Sequence, residues 1–353
     1  MPTSAIYNSV NTSNTTSNVG FFKSLHPLAL ESGQVLQDYE IAYQTFGQLN
    51  EEKSNVIWIV HALTANSNPL EWWPGIVGPG KAIDPAVYFI VCANSLGSPY
   101  GSTHPLSINH ESGKPYFHDF PLITNRDIAY GFEALATYLD IPQVKLLVGA
   151  SLGGQQALEW SIINSNRFDS LFLLATNARH SPWGIAFNES QRLAIRADAT
   201  WRNSTVDAGR QGLKAARSIA LLSYRSAIGY NTSQRDEDDT IDSFKVLSYQ
   251  NYQGEKLILR FNAFSYWVLS KAMDAHNVGR NRGGLQNALA KIKAKTFVLG
   301  ITTDLLFPIS EQQFLADNIA NAQFFEVESA LGHDGFLTED HKISLIIAKI
   351  LSL

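Results

Sequence analysis

The sequence predicts an α/β protein, in which a mostly parallel central sheet is interrupted by an inserted all-helical segment. Three observations carry this. Short, continuous apolar runs at 55–60, 87–93, 144–148 and 171–174 have the length and branched character of strands buried on both faces. Between them, apolar residues recur at helical spacing, as Ile128, Phe132, Leu135 and Leu139 do within 127–139. From about 178 to 284 no strand-like run occurs, and 190–201, 208–220 and 262–275 read as helices separated by polar loops. A helical block between strands of such a sheet is the pattern of a lid over the strand ends.

Taken in order, residues 1–18 are rich in Ser, Thr and Asn and predict a disordered tail, in which the Asn11 and Asn14 sequons arise from composition. Alternation from Phe21 to Phe46, as in 39–46, predicts antiparallel strands at the start of the sheet. The strand at 55–60 ends in His61-Ala62-Leu63-Thr64, where a histidine reads as a local loop-fixing group. The segment 71–80, dense in Trp, Pro and Gly, is a loop near the mouth of a site, and Cys92 falls inside a buried strand as a core thiol. After the lid the sheet resumes at 295–300, followed by a helix near 310–320, a last strand at 323–327 and a closing helix over 345–351. The domain organisation expected is therefore a tail (1–18), a core made of 19–177 and 285–353, and a lid at 178–284.

The chain has 353 residues, 45% of them hydrophobic and 17% charged, enough for one large domain with an insertion. A net charge of −5 with no basic run argues against a nucleic-acid partner. A single cysteine rules out an internal disulfide and any multi-cysteine metal site, which suits a reducing cytoplasm. The N-terminal residues lack a basic and apolar leader, and no run of about 18 apolar residues predicts a membrane span.

Chemistry centres on the run from Val144 to Trp160. Gly149-Ala150-Ser151-Leu152-Gly153 fits the G-x-S-x-G elbow, in which small neighbours let a strand turn directly into a helix and hold the serine hydroxyl out of the turn. A serine nucleophile needs a base and an acid that orients the base. In α/β-hydrolase folds these follow in the order serine, acid, histidine. Asp304, after the strand near 297–301, and His333, after the strand ending near 327, keep that order and lie at strand carboxyl ends. Backbone N–H groups of Leu63 and Leu152 are the expected oxyanion donors.

With these residues in place the sequence resembles the homoserine O-acetyltransferase family. The elbow block Gly149 to Trp160 carries the resemblance, with His61-Ala62-Leu63-Thr64, the run 73–83, Tyr100-Gly101-Ser102-Thr103, 107–115, Asp119-Phe120-Pro121, 181–192, Asp304-Leu305-Leu306-Phe307-Pro308 and Gly332-His333-Asp334-Gly335-Phe336. It spans roughly residues 20–350. The resemblance implies an α/β-hydrolase-fold acyltransferase that takes acetyl-CoA as donor, L-homoserine as acceptor and Ser151 as the carrier of the acyl group, with no bound cofactor or metal, working in methionine biosynthesis as a cytoplasmic homodimer paired through its lid. It also implies that Arg217 grips the acceptor's α-carboxylate and Asp334 its α-ammonium, with Tyr224, two helical turns beyond Arg217, adding a hydrogen bond.

The chain departs from the family's pattern at two loops. Where the family usually reads L-G-G-C-x-G-S-T-G-P, it has Leu96-Gly97-Ser98-Pro99-Tyr100-Gly101-Ser102-Thr103-His104-Pro105, and after Thr64 it has Ala65-Asn66 in place of Gly-Asp. The departures leave succinyl-CoA as donor, L-serine as acceptor, or water as acceptor in a serine hydrolase, as the alternative readings, with Ser98, Pro99 and His104 as the positions bearing on the acyl group.

Overall fold

Eight strands form one sheet in the computed structural model, which describes residues 17–353. They are β1 (Ser17–Lys23), β2 (Glu40–Phe46), β3 (Val56–Val60), β4 (Phe89–Ala93), β5 (Val144–Ala150), β6 (Phe168–Leu174), β7 (Lys295–Ile301) and β8 (Gln323–Val327). Their spatial order is β1-β2-β4-β3-β5-β6-β7-β8, antiparallel across β1, β2 and β4 and parallel from β4 to β8. β1 begins at Ser17, two residues inside the stretch expected as tail, and pairs with β2 from Ser17↔Phe46 to Lys23↔Glu40. The rest of that stretch, with Asn11 and Asn14, lies outside the described residues.

The central strands β3 and β5 are buried almost throughout because helices cover both faces, which is why their sequence is apolar without alternation. On one face α1 (Asn125–Tyr138) and α2 (Leu152–Ile163) pack against the sheet, with Trp58 edge-on to Trp160 at 4.8 Å and Phe132 beside both. On the other, α9 (Asp340–Leu351) sets Ile343, Ile347 and Ile350 against Phe297, Leu299 and Ile301.

The helix α1 starts two residues before the 127–139 span that the periodicity predicts. A capping box explains this: Asp127 N–H donates to the Thr124 hydroxyl and the Thr124 N–H to Asp127 Oδ2.

Between β6 and β7 the chain leaves the sheet for α3 (Pro182–Ala197), α4 (Arg210–Tyr224), α5 (Ala227–Ser233), α6 (Lys245–Ile258) and α7 (Ala263–Asp274). The two ends of this excursion lie side by side: Arg179 bridges Asn277, the His180 N–H donates to the His276 carbonyl and the Val278 N–H to that of Ala178. α8 (Ile309–Asn318) then precedes β8. Among the described residues no helix is long and apolar enough to cross a membrane.

Candidate active site

At the end of β5 the backbone reverses through Ser151, whose φ of 57° and ψ of −126° lie where an L-residue is strained. Its neighbours make the turn physically possible. A Cβ on Gly149 would stand 2.4 Å from the Gly153 carbonyl oxygen, one on Gly153 2.2 Å from that of Val60, and one on Gly154 2.6 Å from the Thr176 side chain. The glycines thus let α2 close down on β5 and on the carboxyl end of β3. The turn is held from both sides, since Ser151 N–H donates to the Leu174 carbonyl and the Thr176 hydroxyl donates to the Ser151 carbonyl at 2.9 Å.

His333 stands in a helical turn after β8, and Asp304 follows β7. The imidazole Nε2 lies 2.9 Å from Ser151 Oγ and Nδ1 lies 2.6 Å from Asp304 Oδ2. The other carboxylate oxygen, Oδ1, accepts the N–H groups of Leu306 at 2.8 Å and Phe307 at 2.9 Å. That anchoring fixes the carboxylate so that Nδ1–H donates to it, which leaves Nε2 as the acceptor for the serine proton. Phe307 stacks on the imidazole at 5.2 Å and Phe336 meets it edge-on at 5.3 Å, so the ring is oriented by packing as well as by hydrogen bonds. All three side chains are buried.

Leu152 N–H is the first of the donors that a helix start leaves unsatisfied. Leu63 is reached through the loop after β3, which the close approach of Gly153 to Val60 and His61 sets against the elbow. His61 belongs to that loop's support. Its Nδ1–H donates to the Ala62 carbonyl at 2.8 Å, Nε2 accepts the Ser95 N–H at 3.1 Å, and burial lowers its pKa to about 4.

Beside His333 stands a cluster of charges from α4 and the loop after β8. Arg217 lies over the Tyr224 ring at 5.4 Å, and that ring is 5.8 Å from His333. Among the described residues no carboxylate lies within ion-pair distance of Arg217. Burial raises the pKa of Tyr224, and the neighbouring Tyr266 hydroxyl donates to Gln191 at 2.7 Å. Asp334 has a partner that the sequence does not announce: Arg225 Nε approaches Oδ2 to 2.7 Å, with an angle too poor for a hydrogen bond. Burial raises the Asp334 pKa, and Arg225, Arg217 and His333 oppose that shift.

A connected polar network underlies the elbow helix. Gln155 accepts from Asn125 at 3.0 Å and donates to Asn177 at 2.9 Å, while Asn177 donates to Glu311 at 2.8 Å. In the loop that departs from the family's pattern, His104 is tied to its own turn through the Ser102 carbonyl and the Ser107 hydroxyl. The Ser98 hydroxyl is buried without a hydrogen-bond partner among the described residues. Also among the described residues, no cluster of three or more His, Cys, Asp or Glu side chains is arranged to hold a metal ion.

Comparison with known proteins follows the same lines. A family model described as alpha/beta hydrolase fold matches residues 55–340. The chain is 47% identical over 320 residues to a homoserine O-acetyltransferase of Cyclobacterium marinum, covering 91% of each. Its structure is similar to that of homoserine O-acetyltransferase from Bacillus anthracis, with a TM-score of 0.87 and 25% identity over 96% of this chain and 98% of that one. It also superposes on esterase E22 with a TM-score of 0.85 over 95% of this chain and 100% of that one; at 24% identity this likeness is one of fold.

Proposed function

The chain belongs to the homoserine O-acetyltransferase family, built on the alpha/beta hydrolase fold, and from that membership we propose that it moves an acetyl group from acetyl-CoA to the hydroxyl of L-homoserine, in methionine biosynthesis. The observation that carries the reading is His333, hydrogen-bonded through one ring nitrogen to Ser151 and through the other to Asp304.

In the first half-reaction Ser151 Oγ attacks the thioester carbonyl as His333 Nε2 takes its proton. The carbon–sulfur bond breaks, and the thiolate leaves with the proton that His333 returns. Asp304 stabilises the imidazolium between these steps, and the N–H groups of Leu63 and Leu152 receive the oxyanion. In the second half-reaction His333 removes the proton of the homoserine hydroxyl, which attacks the acetyl-enzyme, and Ser151 departs with that proton.

The acceptor is a zwitterion. Arg217, with no carboxylate of its own, takes the α-carboxylate, and Asp334 meets the α-ammonium in competition with Arg225. Tyr224 contributes its ring, which seats Arg217 beside His333, and its hydroxyl adds a hydrogen bond to the acceptor. Residues 178–284 serve as the lid. Exposed apolar side chains on its helices, including Leu222, Ile228, Leu247 and Tyr252, support pairing of two subunits through it. The chemistry calls for no metal or bound cofactor, and the setting proposed is the cytoplasm.

The test measures thiol release from acetyl-CoA and from succinyl-CoA, each with homoserine, serine or no acceptor. Release that depends on homoserine and on the acetyl donor is expected. Equal release without an acceptor would reject the transferase in favour of a hydrolase. Replacing Arg217 with Ala is expected to raise the acceptor KM far more than the donor KM.

A further inference from the structure

We propose that a cavity of about 350 Å³ between the loop at Pro99 and the lid receives the phosphate-bearing nucleotide end of the thioester donor, with Arg260 as its anion-binding group. The inference rests on the acyl-CoA reading above and adds to it a place for the part of the donor remote from the reacting carbon.

The walls are largely apolar, from Pro99, Ile258, Leu259 and Phe261, with two arginines among them. The two are not equivalent. Arg210 faces Asp207 at 3.1 Å, so its charge is matched. Arg260 donates through Nη1 to the Thr64 carbonyl and to the Tyr100 hydroxyl, both neutral oxygens. Among the described residues no carboxylate lies within ion-pair distance of it. The cavity therefore carries a net positive charge located at a guanidinium, the group best suited to phosphate.

Position gives that charge its meaning. Thr64 directly follows Leu63, so Arg260 is fastened to the loop that supplies one oxyanion donor. A thioester with its carbonyl at Leu63 and Leu152 has its sulfur-bearing arm leaving the site beside this loop, and an anionic tail on that arm meets an unmatched cation there. Both places where the sequence departs from its family border the same spot: Pro99 lines the cavity, and Ala65-Asn66 follows the residue that Arg260 holds.

Two variants and two donors test this. Arg260→Ala removes the cation, and Leu259→Glu places an anion on the cavity wall at a residue that is 77% exposed, where folding is not at stake. Acetyl-CoA is compared with S-acetylpantetheine, which has the same thioester without the nucleotide. Each variant is expected to lower the ratio of kcat/KM for acetyl-CoA to that for S-acetylpantetheine by about tenfold or more, the loss of one charge-assisted contact. A ratio unchanged in both variants overturns the proposal. So does an equal fall in kcat with both donors, since that would assign Arg260 to holding the loop alone.

Direct titration of the protein with adenosine 3′,5′-bisphosphate reads the cavity without the reaction. Binding that weakens in both variants is expected, and no binding to the wild-type protein overturns the proposal. If neither donor supports transfer to homoserine while the bisphosphate still binds at Arg260, the functional reading fails and the anion site stands.

Discussion

Asp334 is ion-paired with Arg225 at 2.7 Å, so the carboxylate next to His333 has a cation of its own before any amino acid arrives. Arg217 acts on it as well, which gives the acceptor pocket two cations and one anion. In the proposed function a zwitterion entering here offers its carboxylate to Arg217 and contests Asp334 with Arg225. Replacing Arg225 by Ala leaves Asp334 to turn toward Arg217, which ties up the group needed for the acceptor's carboxylate. The acceptor kcat/KM is expected to fall by about ten- to a hundredfold, the cost of truncating one partner of a largely buried pair. The rate of acyl-enzyme formation from acetyl-CoA, followed by intact mass in a quench experiment, should be unaffected.

Asp304 has two separable duties. Oδ1 is anchored by two backbone N–H groups, while Oδ2 receives His333. In Asp304→Asn the amide oxygen can keep the backbone contacts, and its NH₂ group then faces Nδ1. The imidazole must present a lone pair there, which puts its proton on Nε2 and removes the base from Ser151. Turnover is expected to drop by about 10⁴, as for the same change in other serine triads, with the urea midpoint nearly unchanged. A large fall in stability would show instead that the carboxylate charge is needed by the fold.

The elbow places stability and chemistry in opposition. Ser151 has a backbone conformation that costs a side-chain-bearing residue roughly 1–3 kcal/mol and glycine far less. Ser151→Gly is therefore expected to abolish acyl transfer and to raise the unfolding free energy by about 1 kcal/mol. Gly153→Ala goes the other way, because its new methyl group would stand 2.2 Å from the Val60 carbonyl oxygen, where only backbone can yield. It should lose about 3 kcal/mol or more, or fail to accumulate as folded protein. Urea denaturation of both variants against the parent checks the pair of signs.

What could be read from the chain before its fold was known follows the local physics. The strands β3 and β5 and the order of Ser151, Asp304 and His333 are legible because buried runs and turn glycines leave marks in consecutive residues. The start of α1 is fixed by the capping pair Thr124 and Asp127, which apolar spacing does not mark. Helices α5 and α6 leave little apolar periodicity to read, because only Gly229 of α5 and Gly254, Leu257 and Ile258 of α6 are buried. Arg225 ends α4 and meets Asp334 more than a hundred residues away, a contact with no periodic or spacing signal. Arg260 is likewise invisible in sequence, since it is singled out by having neutral oxygens and, among the described residues, no carboxylate as partners. Residues that hold the elbow from outside, such as Thr176, can be found only when β6 is seen beside β5.

Acid sensitivity should trace in part to His61. Both ring nitrogens are used, one donating to Ala62 and one accepting from Ser95, so a second proton would break the latter bond in a buried site. Burial accordingly lowers its pKa from the ordinary 6.5 to about 4. Between those values the unfolded chain binds a proton that the folded chain does not. Its contribution to stability is thus fully present above pH 6.5 and is lost as pH falls toward 4, at about 1.4 kcal/mol per pH unit while the difference is one proton. Buried carboxyls with raised pKa, Asp274 and Glu311 among them, act in the opposite sense over an overlapping range, so the comparison must be between variants. His61→Gln has no group to titrate. It is expected to be less stable than the parent at pH 7.5 and to lose stability less steeply between pH 6.5 and 4.5. Parallel stability curves for the two proteins over that range would mean that His61 is protonated in the fold, contrary to its hydrogen bonds.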